Sequence, residues 1–242
     1  MPDEKPRPYQ AGRATRARWI EKTMAKQFFV TGTDTGVGKT MLSALLCAAL
    51  DGYYWKPIQT GTEEDSDSRI VAELAELPPE RIIPEAYRFA PAVSPHLAAR
   101  LAGAQIELGK IQLPVAARNS ALIVEGAGGA MVPINERELM VDLMRHLGLP
   151  VLLAARSSLG TINHTLLSLA ALRAAHLEVA GVVMIGKLNA ENLEAIDHFG
   201  QVRVLGEIPW TAQLNRISLL EIFATRFDRG FFTPVAKGAV GS

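Results

Sequence analysis

A glycine-rich segment that ends in Gly38-Lys39-Thr40 is the part of this sequence best suited to do chemistry. It follows the apolar run Phe28-Phe29-Val30 and precedes an apolar, helix-favouring stretch from 41 to 50. Glycines let backbone N–H groups wrap a phosphate, and a helix N-terminus carries partial positive charge. The lysine is then expected at the β- and γ-phosphates and the threonine at Mg²⁺. The pattern predicts a nucleotide-binding loop, one residue longer than usual because its first glycine is Gly32.

Four further charged residues are candidates for a phosphoryl-transfer site. Lys56 ends an aromatic run, where it is either a surface lysine or a group that neutralises a transferring phosphoryl group. Asp65 and Asp67 precede a predicted helix, where they either cap its N-terminus or hold Mg²⁺. Glu125 ends an apolar run and precedes a glycine-rich loop at 126–129. That position is typical of the acidic magnesium partner in phosphate-loop enzymes.

Short apolar runs alternate with longer helical patterns, and this alternation indicates how the candidate residues are positioned. Runs that are apolar on both faces are typical of a buried parallel sheet. We expect strands at 27–31, 53–56, 121–125, 151–155 and 180–185. We expect helices at 41–50, 68–77, 139–147, 162–175 and 190–199, and no regular helix within the proline-broken segment 78–95. The predicted fold class is α/β: a single-domain, doubly wound, mostly parallel sheet flanked by helices, of the P-loop NTPase type.

Composition narrows the class of partner. The chain has 242 residues with 48% hydrophobic content, which is enough for one α/β domain. Lys plus Arg and Asp plus Glu both total 25, a balance that disfavours nucleic acid and anionic lipid and favours a small molecule. The single cysteine excludes an internal disulfide, and the five histidines lack the spacing of a zinc site. No apolar stretch is long enough to cross a bilayer, so we expect a cytoplasmic protein.

Both ends of the chain are expected to lie outside the folded domain. Residues 1–24 are rich in proline and charge, so we expect a disordered N-terminal tail there; an arginine-bearing targeting peptide is the alternative. The predicted P-loop α/β domain spans 25–235. The small and polar residues at 236–242 are expected to form a flexible C-terminal tail.

Several motifs together resemble the dethiobiotin synthetase family. They are Phe29 to Thr40 with its longer phosphate loop, Lys56-Pro57, Ser94-Pro95-His96, Val124 to Gly129, Leu159 to His164 and Gly206 to Trp210. The resemblance covers the chain from about Lys26 to Trp210 in family order. It implies an ATP- and Mg²⁺-dependent ligase of biotin biosynthesis that joins CO₂ or bicarbonate to 7,8-diaminopelargonate. The implied route runs through a carbamate and a carbamic-phosphoric anhydride to dethiobiotin, ADP and phosphate.

The resemblance also implies roles for individual residues. Catalysis is expected from Lys39, Lys56, Thr35 and Thr60, and Mg²⁺ ligation from Thr40, Asp67 and Glu125. Nucleotide contacts are expected from Gly36, Val37, Gly38, Lys39, Thr40, Met41, Glu125, Gly126, Ala127, Gly128, Gly129, Pro209 and Trp210. Substrate contacts are expected from Lys56, Thr60, Gly160, Thr161 and Asn163, the last three supplied by the second subunit of a homodimer.

One departure from the family concerns the nucleotide base. Some members carry Asn-Asp after the strand near 181–183 to read adenine, whereas this chain has Ile185-Gly186. Either backbone atoms around Ile208-Pro209-Trp210 select the base, or selection is loose, with ATP expected as the nucleotide. Two other functions fit the same fold. A ParA-like regulatory ATPase is disfavoured because the phosphate loop lacks an early lysine, and a small-molecule kinase would need no CO₂.

Overall fold

The computed structural model describes residues 26–62 and 66–232. The two tails predicted at 1–24 and 236–242, and the candidate Asp65, lie outside the described residues. The strands are β1 Gln27–Gly32, β2 Tyr53–Trp55, β3 Ile58–Thr60, β4 Ile82–Ile83, β5 Tyr87–Phe89, β6 Leu122–Gly129, β7 Val151–Arg156, β8 Val179–Ile185 and β9 Val204–Ile208. The helices are α1 Lys39–Leu50, α2 Asp67–Ala75, α3 Pro95–Leu101, α4 Met140–Leu147, α5 Thr161–Ala174, α6 Ala190–Gly200, α7 Arg216–Arg226 and α8 Arg229–Phe232.

Seven of these strands form one parallel sheet in the order β4-β2-β6-β1-β7-β8-β9. From β1 the chain runs to β2 and β4 on one side, returns to β6 between β2 and β1, and then continues to β7, β8 and β9 on the other side, so β1 lies at the point where the strand order reverses. In open α/β sheets, ligands bind at that point, beyond the carboxyl ends of the strands. The predicted fold class is confirmed. A separate two-stranded parallel sheet pairs β3 with β5.

Helices cover both faces of the large sheet because successive strand side chains point to opposite sides. On β1, Phe28 and Val30 pack in one buried cluster with Leu45 of α1. Phe29 lies in the cluster on the other face, with Met140 of α4. Each fully buried side chain of this size stabilises the fold by roughly 1.5–3 kcal/mol relative to exposure. The packed strands therefore hold their carboxyl ends, where the candidate residues lie, in fixed positions.

The glycine-rich segment after Glu125 differs from its sequence-based prediction. Residues 126–129 were expected to form a loop, but β6 continues to Gly129, which pairs with Gly32 of β1. Glu125 is therefore an interior residue of the strand rather than its last. The reason is steric: a Cβ at Gly126 would lie 2.8 Å from Cε1 of Phe29, so the glycine permits close packing within the sheet.

Other differences concern short elements. The segment 78–95 has no α-helix before α3 begins at Pro95, as predicted, but it contributes β4 and β5. The sequence patterns also did not reveal β3, β9, α3, α7 and α8. Among the helices of the described residues, none combines the length and apolar character needed to cross a membrane.

Candidate nucleotide and catalytic site

The phosphate loop connects β1 to α1. Gly36 and Gly38 adopt positive φ angles of 70° and 103°, in the left-handed region that favours glycine, and Gly38 is the N-cap of α1. The loop folds back on Asp34, whose carboxylate accepts a hydrogen bond from the Thr35 N–H at 2.7 Å. The Asp34 carbonyl accepts another from Lys39 Nζ at 3.2 Å. The N-terminus of α1 therefore faces the space enclosed by the loop.

Lys39 is a buried cation at the first position of α1, with 7% of its surface exposed. Burial lowers the pKa of its ammonium group, and Lys56 lowers it further. Glu125 and Asp67 raise the pKa without cancelling the effect of burial. The charged form of Lys39 is thus incompletely compensated by its surroundings, and an anion in the loop would stabilise it.

Four side chains from different elements meet beside the loop, and we call Thr40, Lys56, Asp67 and Glu125 the charged junction. The Thr40 hydroxyl lies 2.6 Å from Oδ1 of Asp67 and 3.0 Å from Oε1 of Glu125. The Lys56 ammonium lies 2.9 Å from Oδ2 of Asp67 and 3.1 Å from Oε1 of Glu125. The convergence of these residues arises because β2 and β6 are parallel neighbours and α1 and α2 begin at the same edge.

The charged junction keeps its ion pairs despite burial. Burial alone would lower the pKa of Lys56, but Glu125 and Asp67 together outweigh it and the pKa is raised. Burial would raise the pKa of Asp67, yet the nearby Lys56 charge and hydrogen bonds from Thr40, Lys56 and Gln59 lower it. Lys56 and Asp67 are therefore both charged at neutral pH. The interpretation of Lys56 as a surface lysine is wrong, since it is 4% exposed.

The Asp67 carboxylate bonds to other residues of the charged junction and does not cap its own helix. It is the first residue of α2, whereas the N-cap is Ser66, whose hydroxyl accepts a hydrogen bond from the Arg69 N–H at 3.3 Å. The proposed capping role of Asp67 is therefore wrong. The physical reason is that a residue inside the first turn points along the helix surface, where its carboxylate can reach Thr40 and Lys56.

Ser43, Tyr54 and Gln59 also belong to this region, and the sequence reading missed all three. The Ser43 and Tyr54 hydroxyls donate to Oε2 of Glu125 at 2.8 and 3.1 Å. The Gln59 amide nitrogen donates to the Thr60 carbonyl at 2.7 Å. The available signals were spacing: Ser43 follows Thr40 by three positions on α1, and Tyr54 precedes Lys56 by two along β2.

Similarity to known proteins identifies the family. Residues 26–218 match a protein-family model described as an AAA domain. Curated relatives named "ATP-dependent dethiobiotin synthetase BioD" from Brucella melitensis and Brucella abortus are 47% and 46% identical to this chain. Each alignment spans 214 residues, 88% of this chain and 100% of the relative. The chain belongs to the dethiobiotin synthetase family.

Solved structures share the fold of this family member at low sequence identity. The signal recognition particle receptor FtsY from Elizabethkingia anophelis, in complex with GDP, superimposes with a TM-score of 0.53 at 18% identity. That match covers 85% of this chain and 65% of FtsY. A ParA family ATPase from Chlorobium tepidum gives a TM-score of 0.50 at 14% identity, covering 83% and 91% of the two chains. These likenesses establish the P-loop NTPase fold alone.

A pocket of about 640 Å³ lies beside the phosphate loop, and we call it the Trp210 pocket. Its lining includes six of the residues expected to contact the nucleotide: Gly36, Val37, Gly38, Met41, Pro209 and Trp210. Ile185 and Gly186, the positions of the departure from the family pattern, also line it. Trp210 is 83% exposed, so one face of its ring is open to a ligand.

A second cleft, of about 360 Å³, lies on the opposite side of the loop. Thr35 and Gly129 line it together with His164 of α5. Gly126 and Ala127 are not in either cavity, because β6 continues through them into the sheet. Residues 126–129, which were expected to contact the nucleotide, therefore differ in accessibility. Gly126 and Ala127 are buried within the sheet, and Gly129 at the end of the strand lines a cavity.

The expected substrate residues are also divided. Thr60 is the last residue of β3, and Gln59 beside it lowers the pKa of Asp67 in the charged junction. Gly160 is the N-cap of α5 and Asn163 is exposed. The Thr161 side chain is 2% exposed, and its hydroxyl lies 3.5 Å from that of Thr165. Within one chain, the Thr161 side chain therefore points into the protein rather than toward a ligand.

Proposed function

We propose that this chain is an ATP-dependent dethiobiotin synthetase that closes a cyclic urea on 7,8-diaminopelargonate, using CO₂ or bicarbonate, and releases ADP and phosphate. The proposal is supported by 47% identity over the full length of relatives that carry this name. The structural observation that carries it is the charged junction, which places a buried lysine between two carboxylates beside a phosphate loop. Such an arrangement suits a reaction in which negative charge develops next to a transferring phosphoryl group.

The oxygen atoms of the charged junction fit a magnesium ion. The Thr40 hydroxyl lies within 3.0 Å of one oxygen of Asp67 and one oxygen of Glu125, and Mg²⁺ prefers oxygen ligands. Across residues 26–62 and 66–232, no group of three or more His, Cys, Asp or Glu side chains could hold a metal. We therefore propose that Mg²⁺ is held here jointly by these residues and by the nucleotide. When bound, it would neutralise charge on the phosphates.

Lys39 and Lys56 would have different electrostatic roles, the first in nucleotide binding and the second at the reacting groups. Lys39, whose pKa is lowered by burial, gains stability from a triphosphate in the loop and so favours its binding. Lys56, whose pKa is raised by its two carboxylate partners, keeps its proton and can stabilise charge where the carbamate and γ-phosphate meet. Thr35 and Thr60 are proposed to contact the reacting groups from the two sides of this point.

The far end of the substrate is proposed to bind across a homodimer. The N-terminus of α5, at Gly160 and Asn163, offers an anion-binding site for the substrate carboxylate. Its contribution would come through backbone groups and the exposed Asn163, since the Thr161 side chain is buried.

The function is tested by measuring ADP release with Mg-ATP while diaminopelargonate and bicarbonate are omitted in turn. The proposal predicts that release requires both compounds. Release that needs diaminopelargonate but not bicarbonate would identify a small-molecule kinase instead. Release that needs neither would identify an ATPase of the ParA type, and the synthetase proposal would fail.

A further inference from the structure

The two carboxylate oxygens of Glu125 have different environments. Oε1 faces the charged junction, where Thr40 lies at 3.0 Å and Lys56 at 3.1 Å. Oε2 faces the protein interior, where Ser43 donates at 2.8 Å and Tyr54 at 3.1 Å. Glu125 itself is 1% exposed. The carboxylate is thus held from behind by two hydroxyls, and only one of its oxygens is directed at the proposed cation.

Neither hydroxyl is needed for core packing. Tyr54 and Ser43 are both 0% exposed, and Tyr54 packs its ring in the cluster that contains Leu45 and Ile123. Alanine or phenylalanine at these positions would fill the core without burying a polar atom. Buried hydroxyls are costly unless they are hydrogen-bonded, and here both use the same oxygen of Glu125. The geometry indicates a role in holding that carboxylate.

We propose that Ser43 and Tyr54 are positioning residues that fix Glu125 so that only Oε1 is available to the cation, and that this arrangement favours Mg²⁺ over Ca²⁺. The inference rests on the proposed function in one respect, that the cation binds with the nucleotide at the charged junction. It assigns a role to two residues whose hydroxyls both bond to Glu125.

The selectivity follows from coordination chemistry. Mg²⁺ requires near-octahedral geometry and is usually bound through one or two carboxylates plus phosphate oxygens. Ca²⁺ is larger and readily accepts both oxygens of one carboxylate. Because Oε2 of Glu125 is engaged by two donors, the carboxylate cannot turn to offer both oxygens without losing them. Groups that orient metal ligands in this way typically change metal affinity or activity by about 10- to 100-fold when removed.

The test compares Tyr54→Phe and Ser43→Ala with the wild type. The measured quantity is the concentration of Mg²⁺, and separately of Ca²⁺, that gives half of the ATP-dependent rise in melting temperature. Melting temperatures without nucleotide are recorded for every protein. Tyr53→Phe is the matched control, because the neighbouring tyrosine is half-buried and packs its ring against Arg81 at 4.9 Å instead.

We expect the Mg²⁺ requirement to rise about tenfold in Tyr54→Phe and in Ser43→Ala, while the Ca²⁺ requirement stays constant or falls. Tyr53→Phe should match the wild type. A lower melting temperature without nucleotide, together with unchanged requirements for both cations, would overturn the proposal by showing a purely structural role. An equal rise for both cations would overturn the one-oxygen explanation of selectivity.

The same experiment separates this inference from the proposed function. If the wild type gains no stability from ATP with Mg²⁺, the nucleotide function itself fails and the inference falls with it. If the wild type responds and the two variants respond identically to it, only the inference fails. If Tyr54→Phe disturbs the core, Ser43→Ala gives an independent measurement of the cation requirement. Ser43 lies within α1, and alanine is well tolerated inside a helix.

Discussion

The charged junction and the Trp210 pocket both adjoin the C-terminal part of the phosphate loop, but they are built differently. In the junction, Lys56 and Glu125 are almost completely buried, and each makes several hydrogen bonds or ion pairs. The pocket is lined largely by backbone and apolar groups, and Trp210 is mostly exposed. Under the proposed assignment, the groups around the phosphates are fixed before ligands arrive, whereas the base end is left adaptable.

The largest effect that follows from this comparison is expected at Lys56. Lys56→Ala should lower turnover roughly 10²- to 10³-fold, because a preorganised charge at the reacting phosphoryl group is removed. Nucleotide affinity should change little, since Lys39 and the loop backbone remain. The measurements are the steady-state rate of ADP release and the dissociation constant for Mg-ATP.

Lys110→Ala is a suitable control for the lysine variant. Lys110 also pairs with a glutamate, at 2.7 Å, but both side chains are more than half exposed. Exposed ion pairs contribute little, so this variant should behave as the wild type. Equal losses of affinity and turnover in Lys56→Ala would mean that Lys56 serves nucleotide binding, and the contrast between the two regions would disappear.

A smaller effect is expected at Trp210. Trp210→Ala should weaken Mg-ATP binding by about five- to tenfold, as expected when an aromatic side chain that stacks on a base is removed, with turnover at saturating nucleotide unchanged. Titration of nucleotide into both proteins measures this. Phe199→Ala removes another exposed aromatic ring, outside the pocket, and is the control. A loss of turnover in Trp210→Ala at saturating ATP would show that the pocket takes part in the chemistry.

A still smaller effect is expected when the base itself is changed. Ile185 and Gly186 supply no side-chain hydrogen bond to a base. The nearby amides are engaged: Asn189 accepts from the Asn192 N–H at 2.9 Å, and the Asn192 amide donates to the Ser157 carbonyl at 3.3 Å. Turnover with ATP, GTP, CTP and UTP should therefore differ by less than about tenfold, because Ile185 and Gly186 offer no side-chain hydrogen bond at the positions where some family members read adenine. A strict preference for ATP would show that backbone atoms around Pro209 read adenine.

The pH dependence of stability sharpens the account of the junction without any ligand. Asp67 has a lowered pKa in the folded protein, so its contribution to stability is present above the ordinary aspartate pKa and is lost as pH falls through the lowered value. Lys56 has a raised pKa, so its contribution persists until pH rises through that value. Melting temperatures of the wild type and Asp67→Asn should converge in acid and diverge toward neutrality. If the two melting temperatures differ by the same amount at every pH, Asp67 is not ion-paired in the folded protein.

The sequence predicted most of the junction because its signals are local. Gly38-Lys39-Thr40 follows a recognisable pattern. Lys56, Asp65, Asp67 and Glu125 became candidates from their positions near strand ends or a helix start, and the family resemblance selected Asp67 over Asp65. Parallel strands bring such positions to one edge, so their convergence was predictable. The glycines after Glu125 led to the wrong prediction of a loop, because here they permit close packing of a strand.

Other features had no comparable signal. Ser43 and Tyr54 lie within ordinary apolar patterns, and only three-dimensional packing reveals that both reach one oxygen of Glu125. The strands β3 and β5 have three residues each, too few to show a period of two. The N-cap of α2 is Ser66 rather than an aspartate. Serine and aspartate are equally good N-caps, so residue type alone could not identify the capping residue.

The most direct test of the proposed synthetase activity is the coupling between carbon incorporation and ADP release. In a reaction with ATP, Mg²⁺, diaminopelargonate and ¹³C-labelled bicarbonate, the labelled cyclic urea and ADP are quantified from the same samples. A synthetase should form equal amounts of labelled cyclic urea and ADP in the wild type, and both products should be lost in Lys56→Ala. ADP that accumulates without labelled cyclic product in the wild type would contradict it.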